Sequence, residues 1–137
     1  MSSRGRADAL LGASLLFVAA NIAHTVDHFR QGTGRLSTYV IAGGTLISLL
    51  GAVVLYLALV RHPLTALVAT ITGFYAGVAV IAAHLLPHWG VFSDSYPDLG
   101  VDAAAWAIVF GEIAAGFVLG IVGLRQLMAS RRTVAPN

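Results

Sequence analysis

Four of the five histidines in this chain form two pairs with the same spacing, His24 with His28 and His84 with His88. Residues four apart lie on one face of an α-helix, so each pair would present two imidazoles side by side. Imidazole is a good ligand for zinc, iron, copper and nickel. The spacing therefore indicates two halves of a transition-metal site, provided that the fold brings the pairs together.

Carboxylates accompany both histidine pairs. Asp27 shares the helical face of the first pair, and Asp94 follows the second pair in a polar stretch. Either could act as a further ligand, as a partner of a ligand or as a catalytic base. Zinc is the first choice of ion, with iron or copper as alternatives. The predicted metal ligands are His24, Asp27, His28, His84 and His88.

The only glutamate, Glu112, lies within an apolar segment, about ten residues or roughly 15 Å from its start. We expect this carboxylate to be protonated or paired, because lipid penalises an isolated charge. It could relay protons below the histidines, or it could hydrogen-bond across a helix interface. If Glu112 is buried and neutral, Glu112→Gln should be tolerated for folding, because the amide keeps hydrogen-bonding capacity without charge. The predicted catalytic residues are Asp27, Asp94 and Glu112.

These side chains must be positioned by membrane-spanning helices. The chain is 58% hydrophobic and only 10% charged, whereas a soluble domain carries about 25% charged residues. Four apolar stretches have the length of about 20 residues needed to cross a bilayer, at about 9–28, 38–60, 64–86 and 103–127. They are too long and too uniformly apolar for barrel strands, so they should be helices. We predict an all-α bundle of four transmembrane helices, forming one domain over 1–137.

The arginines predict the direction of the helices. All eight basic residues are arginine, and only Arg30 and Arg35 fall on one predicted side of the membrane. The positive-inside rule then places both termini in the cytoplasm of a multi-pass plasma-membrane protein. Both histidine pairs would end outward-running helices, near the extracytoplasmic face. The arginines on the cytoplasmic side are Arg4, Arg6, Arg61, Arg125, Arg131 and Arg132.

Proline and glycine refine this arrangement. Pro87 disfavours helical geometry at Leu86, so the second histidine pair is expected on a distorted turn. Small residues repeat on the second, third and fourth predicted helices, which favours close helix packing in lipid. The same faces could instead join a homo-oligomer or a larger membrane complex. These small residues are Ser37, Gly44, Ser48 and Gly51, then Gly73 and Gly77, then Gly116, Gly120 and Gly123.

Two segments resemble known membrane proteins. HTVDHFRQG at 24–32 and HLLPHWGVFSD at 84–94 resemble segments of small four-helix integral membrane proteins of actinobacteria. That resemblance extends over most of the chain and implies a four-helix membrane fold, with no activity attached. The His/Asp grouping is also similar in type to zinc-dependent membrane hydrolases of the ceramidase and progestin/adipoQ-receptor kind. Those proteins have seven helices and a different ligand arrangement, so no residue is carried over.

The sequence supports three functional hypotheses. The first is a metal-binding membrane protein, either an enzyme or a metal carrier. The second is an electron-transfer protein with haem b held between one histidine of the first helix and one of the third. The third is a packing subunit whose histidines bind one another, Asn21 and interfacial water. The absence of cysteine excludes thiolate sites. The short basic runs give no support to nucleic-acid binding.

Overall fold

The computed structural model describes residues 3–32, 34 and 36–132, with side chains for those from 5 to 130. Its long helices are α1 (Ser3–Gln31), α2 (Thr38–Leu59), α3 (Thr65–Val80) and α5 (Ala103–Arg132), and α4 is a short helix (Tyr96–Leu99). A π-helical turn (Ile81–Leu85) continues α3. Four helical segments of the described chain are long and apolar enough to cross a membrane, which confirms the all-α four-helix prediction. They are Gly5–Gln31, Thr38–Leu59, Thr65–Leu85 and Ala103–Ser130.

The helices differ from the predicted segments mainly at their ends. α1 and α5 extend beyond the apolar runs at 9–28 and 103–127, because helical hydrogen bonding continues into the polar flanks. α4 was not predicted from the sequence. Arg35 lies outside the described residues, as do the side chains of Arg4, Arg131 and Arg132. The orientation argument from the arginines therefore stays a prediction.

α5 packs most extensively against α3 and also against α1, while α2 packs mainly against α1. The start of α1, the end of α5 and the turn between α2 and α3 lie at one end of the bundle, where Arg61 pairs with Asp8 at 3.6 Å. We name this the terminal end. The opposite end carries the links at 32–37 and 86–102, and we name it the histidine end because His24, His28 and His84 lie there.

Glycine allows the backbones of α3 and α5 to approach each other closely. A Cβ atom built on Gly73 would lie only 2.7 Å from Cα of Gly120. A Cβ on Gly123 would lie 2.7 Å from the backbone nitrogen of Thr70. These distances leave no room for a methyl group, so the small-residue faces of α3 and α5 are used for packing within the chain.

Gly73→Ala is expected to destabilise the bundle by about 1–3 kcal/mol, because the added methyl group must push α3 away from α5. Gly111→Ala is the matched control, since a Cβ there meets nothing within 4 Å. That control should be neutral or slightly stabilising, because alanine favours a helix more than glycine does. Thermal unfolding in one detergent compares them, and equal melting temperatures would contradict the close packing.

Candidate metal centre

Two histidines of the site come from α1. His24 and His28 lie one helical turn apart, and their ring centroids are 4.4 Å apart. His24 is buried and His28 is partly buried. The predicted helical face of this pair is therefore directed into the bundle, as the cost of exposing imidazole to lipid requires.

The third histidine is positioned by the π-helical turn at the end of α3. Pro87 cannot continue a helix and restricts the residue before it, and Leu86 is accordingly extended, with φ −77° and ψ 152°. The turn widens just before this break, and it places His84 in the interior with 3% of its surface exposed. Single π-helical turns of this kind occur frequently at functional sites.

The three histidines converge although they come from distant parts of the chain. One ligand nitrogen from each of His24, His28 and His84 can be chosen so that all lie within 4.8 Å of one another. The ring of His84 has its centroid 5.0 Å from that of His24 and 5.3 Å from that of His28. A tetrahedral ion with metal–nitrogen distances of about 2.0–2.1 Å needs nitrogen separations of about 3.3–3.4 Å. Binding would therefore draw the three side chains closer together.

Hydrogen bonds orient two of the three imidazoles. Nδ1 of His24 contacts the carboxylate of Glu112, and Nδ1 of His84 lies 3.1 Å from the carbonyl oxygen of Asp94. A carboxylate and a carbonyl only accept hydrogen bonds, so each Nδ1 carries the proton. The lone pair is then on Nε2 of both rings. Such contacts fix the tautomer of metal-binding histidines in many proteins.

Glu112 also joins three helices through a buried polar network. Its Oε1 accepts a hydrogen bond of 2.8 Å from Nδ2 of Asn21. Asn21 Oδ1 in turn accepts a hydrogen bond of 2.8 Å from the hydroxyl of Ser48 on α2. Glu112 has 2% of its surface exposed, yet both its oxygens have partners, which offsets the cost of burying a carboxylate.

Tyr96 contacts the histidines from the short helix α4. Its hydroxyl lies 3.1 Å from Nε2 of His24, and its ring centroid lies 4.7 Å from that of His84. Burial raises the pKa of Tyr96 to about 12, because phenolate is poorly solvated there. Its hydroxyl therefore remains protonated and donates a hydrogen bond to Nε2 of His24.

Asp27 lies outside the histidine group, in a network of ion pairs at the histidine end of the bundle. Arg30 Nε donates to Asp27 at 2.8 Å, and Gln31 donates to the other carboxylate oxygen at 2.5 Å. Arg30 also donates two hydrogen bonds to Asp102, at 2.7 and 2.9 Å. These bonds lower the pKa of Asp102 to about 2. Arg30 thus ties α1 to Asp102 just before α5, and the Asp27 carboxylate supports Arg30 and is not part of the histidine group.

The remaining predicted ligands are also outside this group. His88 follows the helix break and is exposed, and its backbone N–H donates to Asp98 at 3.1 Å. Asp94 supplies its carbonyl to His84, while its carboxylate accepts a hydrogen bond of 3.0 Å from the backbone N–H of Ser37. The structure therefore brings together three of the five predicted ligands and one predicted catalytic residue, Glu112.

A cavity of about 610 Å³ reaches the histidines from between α1, α2 and α3. Its inner wall includes Asn21, Glu112 and the three histidines. Its walls are otherwise mostly apolar, and aromatic side chains line it at the histidine end of the bundle. These are Phe29, Tyr39, Trp89 and Phe92. The volume is typical of a site for one small molecule.

Sequence reasoning missed Tyr96 and Asp102 as partners of the site. No helical periodicity links Tyr96 to His24. The interaction depends on the path of the loop from 86 to 102, which positions α4 over the histidines. Asp102 did give a local signal, because Asp is a preferred residue before the first turn of a helix. It accepts a hydrogen bond of 2.9 Å from the Ala105 backbone at the start of α5.

Comparisons of the chain with protein-family models, with curated proteins and with solved structures found no significant match. The fold by itself assigns no function, because four-helix bundles serve many different ones. Any functional conclusion must therefore come from the chemistry of the site.

Proposed function

We propose that this protein is a membrane metalloprotein that holds one ion with His24, His28 and His84. The observation that carries the proposal is that three imidazoles from two separate helices converge to within 4.8 Å. The hydrogen bond of His84 leaves its Nε2 lone pair available, and an ion would displace the Tyr96 hydroxyl from Nε2 of His24. Zinc is the preferred ion, and iron or copper are the alternatives.

Three histidine ligands leave a tetrahedral ion with one position for water or substrate, which is typical of catalytic zinc. The cavity leads to this position from the side of α2. A bound ion there would polarise an oxygen of the molecule in the cavity. Glu112 would hold His24 in the tautomer whose Nε2 can bind the ion. This arrangement favours an enzyme over a metal carrier.

The haem alternative has weaker support. A haem ligated by one histidine of α1 and one of α3 would need its flat macrocycle between the two imidazoles. The rings of His24 and His84 meet edge to face with centroids 5.0 Å apart. A porphyrin would fit between them only if the π-helical turn moved away from α1.

The packing-subunit alternative loses part of its basis as well. The glycine faces of α3 and α5 contact each other within the chain, so they are not available to a partner. A homo-oligomer or a larger complex would have to use lipid-facing surfaces of the bundle. The bilayer itself is the partner that the four apolar helices require.

Metal content tests the proposal directly. Protein purified without a histidine tag, incubated with zinc and freed of unbound ion, should contain about one zinc per chain. Elemental analysis would measure the ratio, and protein treated with a chelator would provide the blank. A zinc content no higher than that of the blank would contradict the proposal. A strong absorbance in the Soret region would favour haem.

We also propose that both termini lie in the cytoplasm of a plasma-membrane protein, with the histidine end outside. The chain has no cysteine, so single cysteines report position cleanly. Val91→Cys at the histidine end should react with an impermeant thiol reagent in intact cells, and His62→Cys should not. Both positions are exposed. The reverse labelling pattern would place the histidine end in the cytoplasm.

A further inference from the structure

The cavity combines two surfaces of different chemistry. Its inner end presents the three histidines, Glu112 and Asn21, whereas most of its remaining lining is apolar. A soluble polar substrate would gain nothing from the apolar part. A wholly apolar molecule would leave the open position of an ion held by the histidines without a ligand. The surfaces together therefore suit an amphiphile.

The charge at the inner end of the cavity indicates which headgroup would bind there. The Glu112 carboxylate alone would repel an anion, but a divalent ion held by the histidines makes this region net positive. A carboxylate oxygen would occupy the open position of the ion.

The volume of the cavity indicates how many hydrocarbon chains it can hold. About 610 Å³ is within the range of about 300–1,000 Å³ typical of sites for one small ligand. That space suits one hydrocarbon chain better than a whole two-chain phospholipid. We infer that the cavity binds a single-chain amphiphile with a carboxylate headgroup, a long-chain fatty acid, with its head at the histidines and its chain between α2 and α3. This inference rests on the proposed metal site.

Two glycines provide a matched pair of variants. Gly44 lines the cavity on α2, and a Cβ added there meets nothing within 4 Å, so Gly44→Leu should fill the cavity without straining the fold. Gly111 on α5 also has open space at its Cβ, but it does not line the cavity. Gly111→Leu is therefore the control for added bulk and lipophilicity.

Trp89 provides the signal, because it lines the cavity. In a Trp106→Phe background it is the only tryptophan, and a bromine-tagged long-chain fatty acid quenches its fluorescence on contact. We expect saturable quenching in zinc-loaded protein. The fatty acid should bind to Gly44→Leu at least about tenfold more weakly. Gly111→Leu should match the parent. A bromoalkane of equal chain length, and the fatty acid without zinc, should both bind at least about tenfold more weakly.

The outcomes separate the two proposals when zinc content is measured in the same samples. Zinc binding with equal quenching in Gly44→Leu and Gly111→Leu would overturn the fatty-acid inference and leave the metal site intact. Equal binding of bromoalkane and fatty acid would overturn the headgroup assignment. Absence of zinc binding in the parent protein would overturn the metal site, and the inference that rests on it would fall for that separate reason.

Discussion

His84→Ala is expected to weaken zinc binding by more than about 100-fold. Removing a residue that only hydrogen-bonds to a metal ligand costs about 10- to 100-fold in affinity, and His84 is itself a ligand. The substitution removes the only imidazole that α3 and its π-helical turn contribute to the site, and two histidines from α1 cannot complete it. His24→Ala should have a similar effect. Titration against a competing chromophoric chelator in detergent would measure these affinities.

His88→Ala is the matched control for this experiment. It removes the other histidine of the same sequence pair, but its side chain is exposed after the helix break at Pro87. It should bind zinc as the parent protein does. His84→Asn is the second variant, because its amide can still donate to the Asp94 carbonyl while lacking Nε2. If His84→Asn and His88→Ala lose zinc affinity equally, the three-histidine site is wrong.

The helices could be predicted from sequence because lipid imposes a simple rule. A chain that crosses a bilayer must satisfy its backbone hydrogen bonds locally, so a long apolar run is a helix whatever its neighbours are. The convergence of His24 with His84 followed from the same rule, since both end helices that reach the same membrane side. Glu112 was placed below them by counting residues along the last helix.

The roles of the other predicted ligands depend on interactions that cannot be predicted from the helical spacing of residues. Asp27 shares a face with His24, yet it binds Arg30, whose guanidinium also holds Asp102. Asp94 contributes its backbone carbonyl rather than its carboxylate to the His84 ring. These outcomes are decided by loop geometry and by competition between hydrogen-bond partners. Pro87 did give a local signal, and it correctly indicated a distorted turn.

Glu112→Gln is expected to fold and yet to bind zinc about 10- to 100-fold more weakly. A glutamine has one acceptor oxygen and one donor NH₂ group where glutamate has two acceptors. If the glutamine oxygen keeps the hydrogen bond from Asn21, its NH₂ group faces Nδ1 of His24. That nitrogen must then become an acceptor, and the ring proton moves to Nε2, where it blocks ligation of an ion.

Folding and metal binding must therefore be measured separately for Glu112→Gln. Its melting temperature without metal should stay near that of the parent, because the amide retains a partner for each neighbour. Asp98→Asn, an exposed acid at the histidine end, controls for the loss of one negative charge and should keep full zinc affinity. A large loss of thermal stability in Glu112→Gln would mean that the buried charge itself holds the helices together. Unchanged zinc affinity would mean that Glu112 does not set the tautomer of His24, and its part in the site would be limited to joining α5 to α1.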